Sequence, residues 1–171
     1  IFEEIMPSLH QLFSNDERRE EFLSYIRQFN YYGIDFSDST ELFSAVLISY
    51  IYSTLEKDFK IDDYVENEKF LIFCRDELGV FKAEVGSFFQ SVQFINPLKN
   101  KDRYLKKGER RQRSLVSHQS FFLSLKLGLL THQLSQTDYV FWINEYNRFF
   151  PWTVSLLDID TFFVFFKQKQ L

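Results

Sequence analysis

The segment 15–29 reads NDERREEFLSYIRQF and has the clearest helical pattern in the chain. Asn15 and Asp16 are residue types that cap the N-terminus of a helix, and Gly33 is the type that commonly follows its C-terminus. Between them the apolar residues recur at three- and four-residue steps, the spacing of one helix face: Phe22, Leu23, Ile26 and Phe29. The segment therefore predicts an amphipathic helix.

The same periodicity extends over most of the chain. Helices are predicted over 2–13, from the capping residues Ser37–Ser39 to Ile51, over 64–94 and 115–134, from Ser135–Asp138 onward, and over 153–166. We expect Pro7 to kink or delay the first helix, Gly79 or Gly86 to break the long one, and Pro151 to stop the helix before it. No segment favours a strand over a helix. The predicted fold is all-α, a single bundle of five to seven helices over residues 1–171.

The composition indicates a large aromatic core. Phe occurs 22 times and aromatic residues make up 19% of the 171 residues, whereas there are only five Gly and three Pro. Adjacent rings lie about 100° apart on a helix, so helices that carry them must be buried on two sides, either in a thick core or against another subunit. We expect a homodimer or a higher homo-oligomer. The adjacent pairs are Phe88-Phe89, Phe121-Phe122, Phe149-Phe150, Phe162-Phe163 and Phe165-Phe166.

The single cysteine, Cys74, cannot form an internal disulfide, which predicts a reducing compartment and a cytoplasmic location. No run of about 18 apolar residues is present, so a membrane partner is not expected of this segment. The chain begins with Ile1 rather than Met, which predicts that a segment has been removed upstream. An anchor in such a segment, with membrane association through it, remains open.

Several classes of catalytic site are excluded. His10 and His132 are isolated, and neither has the spacing of a metal ligand pair, so we expect no metal and no cofactor. Glycine-rich phosphate loops, nucleophile elbows and Cys/His pairings of thiol enzymes are absent. Nucleotide hydrolysis and ordinary acyl transfer are therefore not expected.

The charge is divided unevenly along the chain. Residues 99–113 hold eight Lys and Arg against two acids, a net charge of +6, and the remaining residues hold 12 against 22, a net charge of −10. We predict a long basic loop over about 97–113, called the basic segment below. It would concentrate RNA by releasing counterions, and Tyr104 could stack on a base. An acidic protein partner or a merely solvated surface are the alternatives. The cations are Lys99, Lys101, Arg103, Lys106, Lys107, Arg110, Arg111 and Arg113.

A short motif follows the basic segment at the predicted start of a helix. Arg113 and His118 are separated by four residues, and Arg111 also fits, with six residues between. This resembles the Arg-x(4–6)-His motif of the HEPN superfamily, small helical bundles found in RNA-cleaving toxins, abortive-infection proteins and CRISPR-associated effectors. That family often places Asn, Asp or His directly after the Arg, where this chain has Ser114.

The resemblance implies a metal-independent endoribonuclease or RNA-binding protein of prokaryotic antiviral defence. It assigns Arg113 to the scissile phosphate and His118 to the ribose 2′-hydroxyl, chemistry that suits a bidentate guanidinium and an imidazole that titrates near neutral pH. In that family two motifs from two chains meet in one cleft, so a homodimer is implied as well. The competing hypothesis is a non-enzymatic helical interaction module, including a membrane-associated effector whose anchor precedes Ile1.

Overall fold

The computed structural model describes residues 2–31, 38–54, 65 and 67–151, and in these residues the chain is helical with no strand. The all-α prediction is confirmed. The elements are α1 (Phe2–Ile5), α2 (Pro7–Phe13), α3 (Asp16–Tyr31), α4 (Ser39–Thr54), α5 (Glu68–Ile72), α6 (Lys82–Gln93), α7 (Ile95–Lys99), α8 (Lys101–Leu105), α9 (Glu109–Val116), α10 (Phe121–Leu130) and α11 (Gln136–Phe149). A π-helix, Phe73–Glu77, follows α5 directly.

These helices outnumber the five to seven predicted, because single residues interrupt segments that the periodicity joins. Pro7 starts α2 rather than continuing α1, as the sequence indicated. Gly79 adopts a left-handed φ of 66° and ends the helical run after α5, whereas Gly86 lies inside α6. The predicted helix over 153–166, and the roles of Gly33 and Ser37, lie outside the described residues.

Local capping follows the sequence closely. The backbone N–H of Arg18 donates to Asn15 Oδ1 at 3.0 Å at the start of α3, and the N–H of Glu41 donates to Asp38 Oδ1 at 3.0 Å at the start of α4. These contacts confirm both predicted helix starts, because each side-chain oxygen satisfies a backbone N–H that has no partner within the helix.

The described residues form two compact units, residues 2–30 with 38–54, 65 and 67–90, and residue 31 with 91–151, and the boundary after Gln90 falls inside α6. One domain over 1–171 stays a prediction. The first unit has its own aromatic core, in which the ring of Tyr50 stacks on that of Phe73 at 4.1 Å and Phe70 packs edge-on against Phe89. Phe88 and Phe89 are both buried, so α6 is covered on two sides, as the paired rings indicated.

The second unit is built around Trp142 of α11, which is fully buried. Its indole N–H donates to the backbone oxygen of Leu98 in α7 at 3.0 Å, and its ring meets those of Tyr104 and Phe121 edge-on. A capping box starts α11: the Ser135 side chain accepts from the N–H of Asp138, and the Asp138 carboxylate accepts from the N–H of Ser135. The start predicted at Ser135 is therefore confirmed.

The prediction of a long basic loop over about 97–113 is wrong, because α7, α8 and the first part of α9 occupy that range. Asn100 ends α7 and caps α8, accepting from the N–H of Arg103 at 3.2 Å, and Gly108 is the N-cap of α9. Buried side chains then fix these short helices to the core: Leu98, Tyr104, Gln112 and Val116. Six of the eight cations lie in these helices, and Lys106 and Lys107 lie in the turn between α8 and α9.

Candidate nucleic-acid interface

Helix α11 holds the basic segment in place through its side chains. Besides the indole bond to Leu98, it makes three polar contacts with α8 and α9. They are Lys101 Nζ to Asp138 Oδ1 at 2.5 Å, Tyr104 Oη to Glu145 Oε2 at 2.7 Å, and Arg148 Nη2 to Gln112 Oε1 at 2.9 Å. Because these contacts are spread along α11 from its first turn to its last, the cationic helices are fixed at several points.

The role predicted for Tyr104 is wrong. Its side chain is only 1% exposed, its ring packs at 4.7 Å from that of Trp142, and its hydroxyl donates to Glu145. Burial and the neighbouring carboxylate raise the pKa of the phenol. A ring enclosed in this way cannot stack on a base, so Tyr104 anchors the basic segment to the core instead.

Six of the eight cations of the basic segment have no acidic partner among the described residues. Lys101 pairs with Asp138, and the guanidinium carbon of Arg113 lies 5.3 Å from the centre of the Phe150 ring. Within the part of the chain that the structure describes, the other six form no ion pair. They are exposed or, for Lys107, half-buried: Lys99, Arg103, Lys106, Lys107, Arg110 and Arg111.

The structure places the Arg–His motif differently from the prediction. Arg113 lies in the last turn of α9, and His118 lies beyond that helix, in the turn that leads to α10. The expected position at the start of a helix is therefore wrong, because Val116 ends α9 before His118 is reached and α10 begins only at Phe121.

The two side chains of the motif rest on different aromatic rings. The imidazole of half-buried His118 stacks on the ring of Phe94 at 4.4 Å with an interplanar angle of 13°, whereas Arg113 lies over Phe150. No hydrogen bond or ion pair joins Arg113 to His118 among the described residues. The imidazole is not sealed in the core, and the guanidinium is exposed. Both side chains are therefore accessible, each with one face already occupied.

The hydrogen bond made by His118 limits its chemistry. Its Nδ1 accepts the N–H of Ser120 at 3.2 Å, so the neutral imidazole carries its proton on Nε2. In this arrangement Nε2–H can donate to a phosphate or ribose oxygen. Acceptance of a proton by the ring requires that the contact with Ser120 be broken first.

A surface hollow of about 330 Å³ opens beside the basic segment, within the second unit. Three of its lining residues belong to the set predicted to bind RNA: Arg103, Tyr104 and Lys107. Sequence reasoning did not single out the two asparagines: Asn96 lies inside α7, and Asn100, between α7 and α8, is of a type that signals only a helix start. The lining consists of Asn96, Pro97, Asn100, Arg103, Tyr104 and Lys107.

Other reactive groups lie apart from the basic segment. Cys74 is buried in the first unit, and burial raises the pKa of its thiol to about 12, which leaves it unreactive at neutral pH. Across the described residues, no three His, Cys, Asp or Glu side chains gather as a metal site requires.

Of the helices in that same part of the chain, none is both long and apolar enough to cross a bilayer.

No protein-family model, curated protein or solved structure matches this chain. The resemblance to the HEPN superfamily therefore depends on residues 113–118 and on the helical character of the chain.

Proposed function

We propose that this chain binds RNA through the basic segment. The observation that carries the proposal is the set of six cations that have no acidic partner among the described residues. They lie on α7, α8 and α9, or in the turn between α8 and α9, and side chains of α11 hold these helices in place. The protein as a whole has a net charge of −4, so a polyanion can bind only where cations are not neutralised by nearby acids. Each contact of such a cation with a phosphate releases a condensed counterion, which favours binding. Because the backbone that carries these cations is already ordered, less conformational entropy is lost when the phosphates are bound.

The proposal extends to metal-independent cleavage of the bound strand at Arg113 and His118, as the HEPN resemblance implies. The guanidinium carbon of Arg113 lies 5.3 Å from the centre of the Phe150 ring, a contact that leaves its N–H groups able to donate to other partners. Arg113 can therefore bind a phosphate while it remains on Phe150. In the reaction the 2′-hydroxyl gives its proton to Nδ1 of His118, which must first release the N–H of Ser120, and the 2′-oxygen attacks phosphorus. The bond from phosphorus to the 5′-oxygen breaks, and the leaving oxygen takes the Nε2 proton of the His118 imidazole in the facing copy. His118 lies at the 2′-hydroxyl in this scheme, and a second copy of the chain supplies the facing motif.

The test is incubation of labelled single-stranded RNA with the purified protein in EDTA. His118→Asn is compared with His132→Asn, a matched change at an exposed His whose left-handed φ of 56° Asn tolerates well. We expect salt-sensitive binding in all three proteins, and cleavage in the parent and His132→Asn only.

Each other outcome has a definite meaning. Unchanged cleavage by His118→Asn would remove that residue from the mechanism. Binding without cleavage in any protein would leave an RNA-binding module and discard the nuclease. Absence of binding would discard RNA altogether, in favour of docking to an acidic protein.

A further inference from the structure

We infer that the hollow lined by α7 and α8 holds one nucleotide of the bound strand, with its phosphate on Arg103 and Lys107. The inference rests on the proposed function, because it assigns a specific subsite within the same basic segment. It concerns a site away from the Arg–His motif and does not require cleavage.

The charge of the hollow comes from two side chains four residues apart. Arg103 lies in α8 and Lys107 in the turn after it, and both line the same space. Neither forms an ion pair with any residue in the described ranges. A guanidinium and an ammonium that line one hollow suit a phosphate, because the first can donate in a bidentate manner and the second adds a mobile point charge.

The rest of the lining is suited to a nucleoside rather than to a bare anion. The side-chain amide of Asn96 makes no hydrogen bond within the described residues, so it offers a donor and an acceptor together. The Oδ1 of Asn100 is occupied by the N–H of Arg103, which leaves its NH2 group to donate. A primary amide with both functions matches the edge of a base, and the ring of Pro97 supplies an apolar surface.

The size of the hollow agrees with this occupant. Its volume of about 330 Å³ lies at the lower end of the range of roughly 300–1,000 Å³ found for small-molecule sites. Two of the lining residues are held in place, since the hydroxyl of Tyr104 donates to Glu145 and Asn100 caps α8. A preformed site binds a single nucleotide without a large ordering cost.

The inference is tested by calorimetric titration of the full chain with adenosine 5′-monophosphate, adenosine and inorganic phosphate. We expect saturable binding of the nucleotide, with adenosine and phosphate each at least about tenfold weaker, since charge-assisted bonds and base contacts contribute separately. Arg103→Gln or Lys107→Gln should weaken nucleotide binding about tenfold. Asn96→Ala should weaken it severalfold with no change of charge.

The matched control is Lys106→Gln, which removes an exposed cation of the same segment that does not line the hollow. It should leave nucleotide affinity within about twofold while it weakens the binding of a long single-stranded RNA, because it removes a phosphate contact. Equal losses for Lys106→Gln and Arg103→Gln would overturn the inference, since binding would then depend on charge alone.

Long RNA, measured in parallel, separates the two proposals. If RNA binds but the nucleotide does not at millimolar concentration, the subsite is refuted and the proposed function stands. If the nucleotide binds through Arg103 and Asn96 but RNA does not, RNA binding is refuted and the hollow is a site for a free nucleotide rather than for part of a strand. If neither binds, both are refuted.

Discussion

Tyr104 has neighbours in sequence that are cationic and neighbours in space that are aromatic. Its partners Trp142 and Glu145 lie about forty residues further along the chain, so no local pattern could reveal its burial. The charged residues next to it in sequence indicated an exposed ring, but packing against Trp142 buries it. The same holds for Gln112, which is buried and accepts a hydrogen bond from Arg148, 36 residues further along the chain.

We predict that Tyr104→Phe lowers the free energy of unfolding by about 1 kcal/mol at pH 7, because one partly buried hydrogen bond to Glu145 is lost. The folded phenol has a raised pKa, so above pH 10 the unfolded state ionises first and the parent loses stability as pH rises. The phenylalanine variant lacks this loss. The difference between the two should therefore shrink above pH 10.

Urea unfolding midpoints of both proteins between pH 7 and pH 11 measure that difference. Tyr25 also has a pKa raised by burial, but it is present in both proteins and its effect cancels. A difference that stays constant up to pH 11 would contradict the assigned environment of Tyr104.

At the scale of the elements, α10 ends in a close approach of two chain segments. The N–H groups of Gln133 and Leu134 both donate to the backbone oxygen of Gly128, so the chain folds back over this glycine. A Cβ added there would lie 2.5 Å from Cδ1 of Leu134, whose side chain is buried. In α6, by contrast, a Cβ on exposed Gly86 would meet nothing within 4 Å.

Alanine at these two glycines should therefore have opposite effects. Gly128→Ala overpacks a buried contact and should cost about 1–3 kcal/mol of the free energy of unfolding. Gly86→Ala improves helix propensity in open space and should add about 0.5–1 kcal/mol. The free energies of unfolding of the two variants and the parent are measured by thermal or urea unfolding. A stabilised Gly128→Ala would show that α10 does not end in this way.

Helix starts could be predicted from sequence because capping is local. Asn15, Asp38 and the pair Ser135 and Asp138 each act on backbone groups within three residues. The basic segment could not be predicted in the same way, since its eight cations mask the few apolar side chains that anchor it. Only Asn100 and Gly108, which are the N-caps of α8 and α9, are residue types that indicate helix starts in this segment. The orientations of Arg113 and His118 depend on Phe150 and Phe94, which the spacing of the motif does not contain.

For the whole molecule, the division of charge is the feature that links the fold to the proposed function. A net charge of −4 favours repulsion of nucleic acid as a whole, so any binding must come from a local concentration of cations. The six cations of the basic segment that form no ion pair among the described residues supply it. With about 0.7 counterions released per phosphate contact on a single strand, six contacts would give a slope near −4 for the logarithm of affinity against the logarithm of salt concentration.

The most direct test of this account compares that slope in the parent and in two triple variants of equal charge change. One replaces exposed cations of the basic segment outside the hollow, and the other replaces exposed cations of the first unit that form no ion pair among the described residues. The first is Lys106→Gln, Arg110→Gln and Arg111→Gln, and the second is Arg18→Gln, Lys69→Gln and Lys82→Gln.

The measurement is the equilibrium binding of a labelled single-stranded RNA from about 50 to 200 mM salt, a range over which phosphate contacts change affinity strongly. The account predicts that the basic-segment triple flattens the slope by about 2 and weakens binding, since three contacts are lost, while the first-unit triple leaves both unchanged. Equal losses in the two triples, or no RNA binding by the parent, would contradict it.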